Sequence, residues 1–223
     1  MKNRYAIADI HGCFKTLNAL LFDKLMISKE DEIYFIGDYV DRGPRSKEVL
    51  DLLMDLEIDG YNVHFTRGNH EQMMLDSLKS LSDMELWLLN GCNETLDSFK
   101  VFETSEIPVK YINFINRMPY YIDLEDFILV HAGLNFDLDN PLLDLNSMLW
   151  IRNSIVNRQK IKNRRVIVGH TPKTLDEIKS SLNSDKIIID GGCCYSHRYS
   201  NLGNLVALNL DTFELIVQKN IDS

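Results

Sequence analysis

The sequence predicts an α/β fold in which antiparallel strands come late in the chain. Short apolar runs alternate with longer segments of helical period through the first half, which indicates repeated strand-loop-helix units. Residues 205–217 contain two apolar runs that flank Asp211 and Thr212, which predicts a hairpin. A chain of 223 residues with 45% hydrophobic composition can bury a full core.

The apolar runs predict strands whose flanking segments are helical or turn-like. The strands are predicted at residues 5–8, 32–36, 62–66, 127–130, 165–168, 186–189, 204–210 and 214–218. Helices are predicted over residues 13–26 and 47–57. The first helix has an apolar face made of Phe14, Leu17, Leu20 and Leu21.

Residues 72–118 are predicted to form a helical insert in a single domain that spans residues 1–223. No internal repeat, low-complexity tract or Gly/Ser linker marks a second domain boundary. The large apolar residues of the insert are interpreted as core or cap packing: Met73, Met74, Leu75, Leu78, Leu81, Leu86, Leu88 and Leu89.

Composition excludes several classes of function. The net charge of -9 argues against broad affinity for nucleic acid, and the basic run at 158–165 is interpreted as a solvated connection. No apolar run approaches the roughly 18 residues of a membrane span, and the amino terminus lacks a signal-peptide pattern, so a cytoplasmic protein without membrane partners is expected. The four cysteines lack zinc-site spacing and predict free thiols.

Six short polar motifs follow strand-like runs and carry the functional information. They combine carboxylate, imidazole and carboxamide groups in numbers that suit a pair of divalent cations. This combination predicts metal-assisted hydrolysis of a phosphate ester. The motifs are Asp9-Ile10-His11, Gly37-Asp38-Tyr39-Val40-Asp41-Arg42-Gly43, Gly68-Asn69-His70-Glu71, His131, Gly169-His170 and Asp190-Gly191.

The position of these motifs predicts that they converge. Ligands of open α/β sheets gather beyond the carboxyl ends of the strands, so residues far apart in sequence meet in one crevice. Three glycines, Gly37, Gly68 and Gly169, are predicted to let the backbone turn sharply at that edge.

The ligand types indicate how two ions would be shared. Asp9 and His11 are two residues apart and can bind one ion, and Asp38 can bridge both because a carboxylate has two oxygens. The second ion is completed by Asn69, His131 and His170.

Single motifs have simpler alternatives. Asp9-x-His11 could serve surface or capping roles, and His170 could be a core histidine in a turn before Pro172. In contrast, Gly-Asp-x-x-Asp-Arg-Gly and Gly-Asn-His-Glu each fix four or five positions, which favours a metal phosphoesterase.

The chain resembles the phosphoprotein phosphatase family of metal-dependent Ser/Thr phosphatases, and is most similar to its small bacterial and phage-lambda-type members. The resemblance spans almost the whole chain. It implies a calcineurin-like β-sandwich flanked by helices, with two divalent metal ions, manganese first and iron, zinc or nickel as alternatives. It rests on residues 9–13, 37–43, 67–74, 87–91 and 131–133, on Trp150-x-Arg152, and on residues 169–171.

The resemblance also implies roles for residues that bind no metal. His70 would protonate the leaving alkoxide, with Asp41 orienting it. Arg42 and Arg152 would clamp the phosphate oxygens. A metal-bridging hydroxide would attack phosphorus in line, without a phosphoenzyme intermediate. Asp190 matches no ligand position, so a structural role is expected.

The expected substrate is a phosphorylated protein or peptide, with small phosphoesters as a further possibility. A dinucleoside-tetraphosphate (Ap4A-type) hydrolase is the main alternative, and Asp41 and Glu71 favour the phosphomonoesterase over it. A non-catalytic scaffold of the same fold is a remote alternative, since the set of ligands and the acid histidine are complete. The sequence makes no prediction of oligomeric state.

Overall fold

The computed structural model describes residues 2–222 and contains two mixed β-sheets. Strands are numbered along the chain. The first sheet has the order β3-β2-β1-β8-β9 and contains β1 (Arg4–Ile7), β2 (Glu32–Phe35), β3 (Asn62–Phe65), β8 (Asn204–Asn209) and β9 (Leu215–Lys219). The second has the order β4-β5-β6-β7 and contains β4 (Tyr121–Asp123), β5 (Phe127–Val130), β6 (Arg165–Val168) and β7 (Lys186–Ile188).

Parallel pairs form the part of each sheet that carries the polar motifs. In the first sheet β1, β2 and β3 are parallel neighbours, and in the second β5, β6 and β7 are parallel neighbours. The late strands β8 and β9 pair antiparallel as a hairpin, and the side-chain oxygen of Asn209 accepts hydrogen bonds from the backbone of Asp211 and Thr212. The predicted α/β fold with a late antiparallel hairpin is confirmed.

Eight α-helices of the described residues connect the strands. They are α1 (Phe14–Asn18), α2 (Ser46–Ile58), α3 (Asn69–Asp76), α4 (Leu81–Leu89), α5 (Asn93–Phe99), α6 (Val109–Asn116), α7 (Leu145–Trp150) and α8 (Leu175–Ser181). After α1 the chain continues as a wider π-helical segment, Ala19–Lys24. Short 3-10 turns occupy Thr104–Glu106, Pro141–Leu143, Arg158–Ile161 and Cys193–Tyr195. Within residues 2–222 none of the helices combines the length and apolar character of a membrane span.

The strands supply side chains to more than one core because successive residues of a strand point to opposite faces. Ile7 and Phe35 belong to the apolar cluster that also contains buried side chains of α1, α2 and α3. Ala6 and Tyr34 belong to a second cluster, which they share with Leu129 of β5. This second cluster lies between the two sheets, so the expected β-sandwich flanked by helices is confirmed.

The region between β3 and β4 is helical, as predicted, but its apolar residues do not all pack. Met73 and Met74 of α3 are buried, and α4 buries only Trp87. The interpretation as core or cap packing holds for Leu75, which is partly buried against the core. It is wrong for five other leucines, because α4 and the turn before it lie at the surface, and α4 packs on the core through Trp87 and the partly buried Met84. The exposed residues are Leu78, Leu81, Leu86, Leu88 and Leu89.

A carboxylate from the end of the described chain caps α1. Asp222 accepts hydrogen bonds from the backbone N–H groups of Lys15 and Thr16, at 2.9 Å each, and from the Thr16 hydroxyl at 2.7 Å. The residue that precedes the helix, Cys13, makes no side-chain cap of its own. Asp222 thus stabilises the first turn of α1, which follows directly on the loop that contains Asp9.

Replacing Asp222 with alanine is expected to lower the free energy of unfolding by about 1–2 kcal/mol, because buried N–H groups of α1 lose their acceptor. Urea denaturation of the purified variant measures this change. The matched control is Asp139→Ala at an exposed position, for which a change within about 0.5 kcal/mol is expected. Equal stability of the two variants would contradict the capping role.

Candidate active site

The polar motifs follow strand ends that lie side by side. Asp9, Asp38 and Asn69 come after the parallel strands β1, β2 and β3, and His131 and His170 come after the parallel strands β5 and β6. Since parallel strands end at the same edge of a sheet, the motifs share one edge of the sandwich. All five side chains are buried there.

Asp38 lies at the centre of this cluster. Its Oδ2 is 3.4 Å from His11 Nε2, 3.4 Å from His131 Nε2 and 3.9 Å from His70 Nε2. In the part of the chain that the structure describes, two groups of side chains have the spacing to hold a metal ion, and in each the ligand atoms lie within 4.8 Å of one another. Asp38 is the member that the two groups share. The groups are His11, Asp38 and His70, and Asp38, His131 and His170.

The group around His131 has too many acceptors for the available protons. His131 Nδ1 faces the carbonyl of Ile36 at 3.1 Å, so this nitrogen is assigned the proton and Nε2 carries the lone pair. That Nε2 lies 2.9 Å from Asn69 Oδ1 and 3.1 Å from His170 Nδ1. His170 Nε2 is buried without a hydrogen-bond partner among the described residues. Three lone-pair atoms, Asn69 Oδ1, His131 Nε2 and His170 Nδ1, converge beside Asp38, and a divalent cation would accept them, so this donor set fits a metal ion.

His11 is oriented in the same way. Its Nδ1 lies 2.9 Å from the carbonyl of Val40, which leaves Nε2 with a lone pair directed toward Asp38. Burial lowers the pKa of His11, His131 and His170, the last to about 3. The three imidazoles are therefore neutral near pH 7, which is the state that binds metal.

Two carboxylates stand apart from these groups. Both oxygens of Asp9 lie 3.0 Å from the backbone N–H of His170, and Asp9 belongs to neither group. Asp190 is buried and accepts a hydrogen bond from the backbone of Gly192, and burial raises its pKa to about 7. The metal-binding role of Asp9 and the structural role of Asp190 both stay predictions.

The backbone is strained where the site residues lie. Eleven non-glycine residues in the described chain have positive φ, a conformation that is costly for side chains with a Cβ. Such strain is concentrated at functional sites when the surrounding structure enforces it. Six of the eleven are site residues predicted from the sequence: Asp9, His11, Asp38, Asp41, Arg42 and His170.

The glycines beside the motifs matter mainly because they have no Cβ that would overlap neighbouring side chains. Gly37 has φ +96°, as a sharp turn requires, but Gly68 has an ordinary extended conformation. A Cβ at Gly68 would overlap the carboxylate of Asp38, and one at Gly169 would overlap the carboxylate of Asp9. The prediction of a sharp turn is wrong for Gly68, which lets the end of β3 approach Asp38.

Glu71 holds the loop that carries Asp38. Its carboxylate accepts hydrogen bonds from the backbone N–H groups of Asp38 at 2.8 Å, Tyr39 at 2.7 Å and Gly68 at 2.9 Å. Glu71 is fully buried, so its contacts are with backbone of the protein. Glu71 therefore positions the loop that carries Asp38 through backbone contacts.

A buried His70–Asp41 pair lies next to Asp38. His70 Nδ1 and Asp41 Oδ2 are 2.6 Å apart. Asp41 also accepts hydrogen bonds from Trp87 Nε1 at 2.7 Å and from the Thr95 hydroxyl at 2.6 Å. Sequence reasoning missed these positioning roles of α4 and α5, although Trp87 belongs to a motif that supports the resemblance.

The electrostatic surroundings of His70 favour its protonated form. Burial by itself lowers the pKa of His70, but the charge of Asp38 and the hydrogen bond to Asp41 outweigh it and raise the pKa above the usual value. An imidazolium that is held in place by a buried carboxylate can donate a proton to a leaving group.

The two predicted phosphate-binding arginines lie on different sides of the cluster. Arg42 Nη1 is 2.8 Å from His11 Nε2, and its guanidinium lies 5.6 Å from the ring centroid of Tyr195. Arg152 is exposed and lines a groove together with Gly169, next to His170. Phosphate oxygens between the two arginines could be bound from both sides.

Comparison with known proteins places the chain among phosphoesterases. Residues 4–214 match the family model described as calcineurin-like phosphoesterase. Serine/threonine-protein phosphatase 1 of Salmonella typhimurium is 29% identical over 161 residues, which cover 70% of this chain and 71% of that protein. The asymmetrical bis(5'-nucleosyl)-tetraphosphatase PrpE of Geobacillus thermodenitrificans is 25% identical over 224 residues, which cover 88% of this chain and 90% of that protein.

The chain spans about half the length of symmetrical bis(5'-nucleosyl)-tetraphosphatases that it also matches. Among solved structures, a protein serine/threonine phosphatase from Saccharomyces cerevisiae superposes with a TM-score of 0.66 at 18% identity, covering 98% of this chain and 79% of that one. This structural likeness concerns the fold.

Proposed function

Because the chain belongs to the calcineurin-like phosphoesterase family, a family of metal-dependent hydrolases, we propose that it is a phosphomonoesterase acting on phosphoserine and phosphothreonine in proteins or peptides. The observation that carries this proposal is the buried His70–Asp41 pair beside Asp38. A phosphomonoester has an alkoxide leaving group that needs a proton, and this pair provides a donor. Small phosphoesters would also be substrates.

The buried ligand set would hold two divalent cations, with manganese as the first expectation. Asp9, His11 and Asp38 would hold one ion, and Asp38 would share the second with the other three ligands, Asn69, His131 and His170. When bound, such ions lower the pKa of water toward neutrality and neutralise the charge of phosphate oxygens. The neutral imidazoles and the shared carboxylate support this assignment.

The residues outside the ligand set bind the phosphate and move the proton. Arg42 and Arg152 would bind phosphate oxygens from opposite sides, since a planar guanidinium matches their geometry. His70 would donate the proton of its imidazolium to the leaving oxygen, and Asp41 would hold the ring through Nδ1.

A second candidate activity is the hydrolysis of dinucleoside tetraphosphates. The supporting observation is the similarity to the asymmetrical tetraphosphatase, which extends over 88% of this chain and 90% of that protein. Asp41 supports the phosphomonoesterase instead, because its carboxylate is committed to His70, the proton donor that an alkoxide needs. Both reactions would use the same ligand set.

A direct comparison of substrates tests the proposal. In the presence of manganese, the full chain is expected to show a higher kcat/KM for phosphoserine and phosphothreonine peptides than for diadenosine tetraphosphate. Phosphate release and product chromatography measure the two reactions under the same conditions. A clear preference for the dinucleotide would replace the first candidate by the second.

A further inference from the structure

A groove of about 590 Å³ borders the candidate active site on the side of His170. Gly169 and Thr171, which flank His170, form part of its wall, and so does Ala132, which follows His131. The remaining lining residues come from the segment after α7, from β6 and β7, and from the start of the loop before α8. They are Arg152, Asn153, Ser154, Ile155, Val168, Lys173, Lys186 and Ile188.

The charge of this groove is opposite to that of the whole protein. The chain has 33 acidic and 24 basic residues, yet the groove is lined by Arg152, Lys173 and Lys186 and by no carboxylate. Lys173 forms an ion pair with Glu177 at 3.1 Å, outside the lining residues. Arg152 and Lys186 have no carboxylate within 4.0 Å anywhere in residues 2–222. By contrast, Arg164, which lies outside the groove, pairs with Asp123.

Lys186 is the most informative of the three cations. Its side chain is half-buried, and burial lowers its pKa, with no neighbouring carboxylate to offset the effect. Among residues 2–222 its Nζ has two hydrogen-bond acceptors, the carbonyl of Arg152 and the hydroxyl of Ser154, both at the long distance of 3.4 Å. A partly buried ammonium without a counterion is costly, and an anion in the groove would remove that cost.

We propose that the groove binds a second anionic group of the substrate, a carboxylate or phosphate, while the scissile phosphate lies at the neighbouring ligand cluster. The inference rests on the proposed hydrolysis of phosphate esters at that cluster. Arg152 connects the two, because it lines the groove and also lies beside His170. The apolar side chains of Ile155 and Ile188 also line the groove and would contact the uncharged part of such a substrate.

The substitution Lys186→Met tests the proposal by comparing substrates. Two substrates lack an added anion: para-nitrophenyl phosphate, and a phosphoserine peptide with glutamine beside the phosphoserine. Two have one: the same peptide with glutamate in place of glutamine, and diadenosine tetraphosphate. We expect the loss in kcat/KM on a substrate with a second anion to exceed the loss on para-nitrophenyl phosphate by about tenfold or more. Lys186→Arg should retain most of the selectivity.

The identity of the affected substrate distinguishes the two sources of the anion. A selective loss on the glutamate peptide assigns the groove to side-chain carboxylates, and a selective loss on diadenosine tetraphosphate assigns it to the polyphosphate chain. Lys179→Met, at an exposed position of the neighbouring α8, is the matched control and should leave the ratios unchanged. Equal losses on all substrates would show a merely structural role for Lys186 and overturn the proposal.

A binding measurement separates failure of the groove from failure of the proposed function. Inorganic tripolyphosphate is titrated into the full chain in the presence of EDTA, and isothermal calorimetry gives its Kd. Lys186→Met should raise this Kd about tenfold relative to the wild type and to Lys179→Met. If Lys186→Met leaves the Kd of tripolyphosphate unchanged, the proposed anion site in the groove is wrong even if the enzyme is active. If Lys186→Met raises the Kd but the wild type has no phosphatase activity, the anion site is supported and the proposed function is rejected.

Discussion

Replacing Asp38 with asparagine is expected to weaken the binding of both metal ions and to abolish most of the hydrolytic activity. Asp38 is the one carboxylate that belongs to both groups of potential ligands, with His11 and His131 each 3.4 Å from its Oδ2. An amide has one oxygen and no charge, so it cannot replace a carboxylate between two cations. Mutation of a residue that only hydrogen-bonds to a metal ligand already lowers metal affinity by about 10–100-fold. Loss of a ligand itself is therefore expected to lower metal affinity by at least about 100-fold.

Metal content measured by inductively coupled plasma mass spectrometry after dialysis checks this prediction. The wild type should retain two manganese ions per chain, and Asp38→Asn should retain neither at the same free concentration. Asp144→Asn is the matched control, because Asp144 caps α7 and belongs to neither ligand group. Retention of one ion by Asp38→Asn would contradict the bridging role.

Replacing His70 with asparagine is expected to lower kcat by about 10²–10⁴-fold, which is the usual contribution of a positioned proton donor. The imidazole is held by Asp41 at 2.6 Å, and its pKa is raised by the neighbouring carboxylates despite its burial. Asparagine occupies a similar space but cannot donate a proton to a leaving alkoxide. Hydrolysis of para-nitrophenyl phosphate in the presence of manganese measures the loss.

The same variant distinguishes a proton donor from a metal ligand, since His70 Nε2 also lies 3.9 Å from Asp38. A proton donor requires that His70→Asn retain both ions, whereas loss of one ion would identify His70 as a ligand. His64→Asn is the control, because His64 is exposed in β3 and stacks on Tyr34. If the wild type hydrolysed no faster than His70→Asn, the chain would be a non-catalytic scaffold.

The sequence was informative about strands because their pattern is local. The starting and ending residues of β1, β2 and β5 agree with the predicted runs to within one residue. Short elements were missed: β4 has three residues, two of them half-buried and one exposed, which are too few for a periodic pattern. Helix α8 was also missed, although Thr174 and Glu177 form a capping box that is visible in the sequence.

Burial and contact partners were harder to predict. The leucines of α4 have a helical spacing typical of a packed face, yet Leu81 and Leu89 are each 85% exposed. The side of α4 that packs on the core is instead the one with Trp87 and Met84. Glu71 was interpreted from the sequence as a determinant of substrate class. In the structure its carboxylate binds backbone N–H groups, a contact that the sequence did not predict. Such contacts depend on which elements become neighbours, and a single sequence does not contain that information.

The sequence by itself determined the chemical types of the candidate site and their positions at strand ends. Those features depend on strand period, glycine spacing and ligand chemistry, which are properties of short segments. Only the tertiary structure decided that Asp38 lies between two ligand groups, that Trp87 and Thr95 hold Asp41, and that Lys186 faces a groove with no carboxylate partner from residues 2–222. These arrangements, and the positive φ angles of the site residues, arise when two sheets and their helices pack and impose conformations that no local segment prefers.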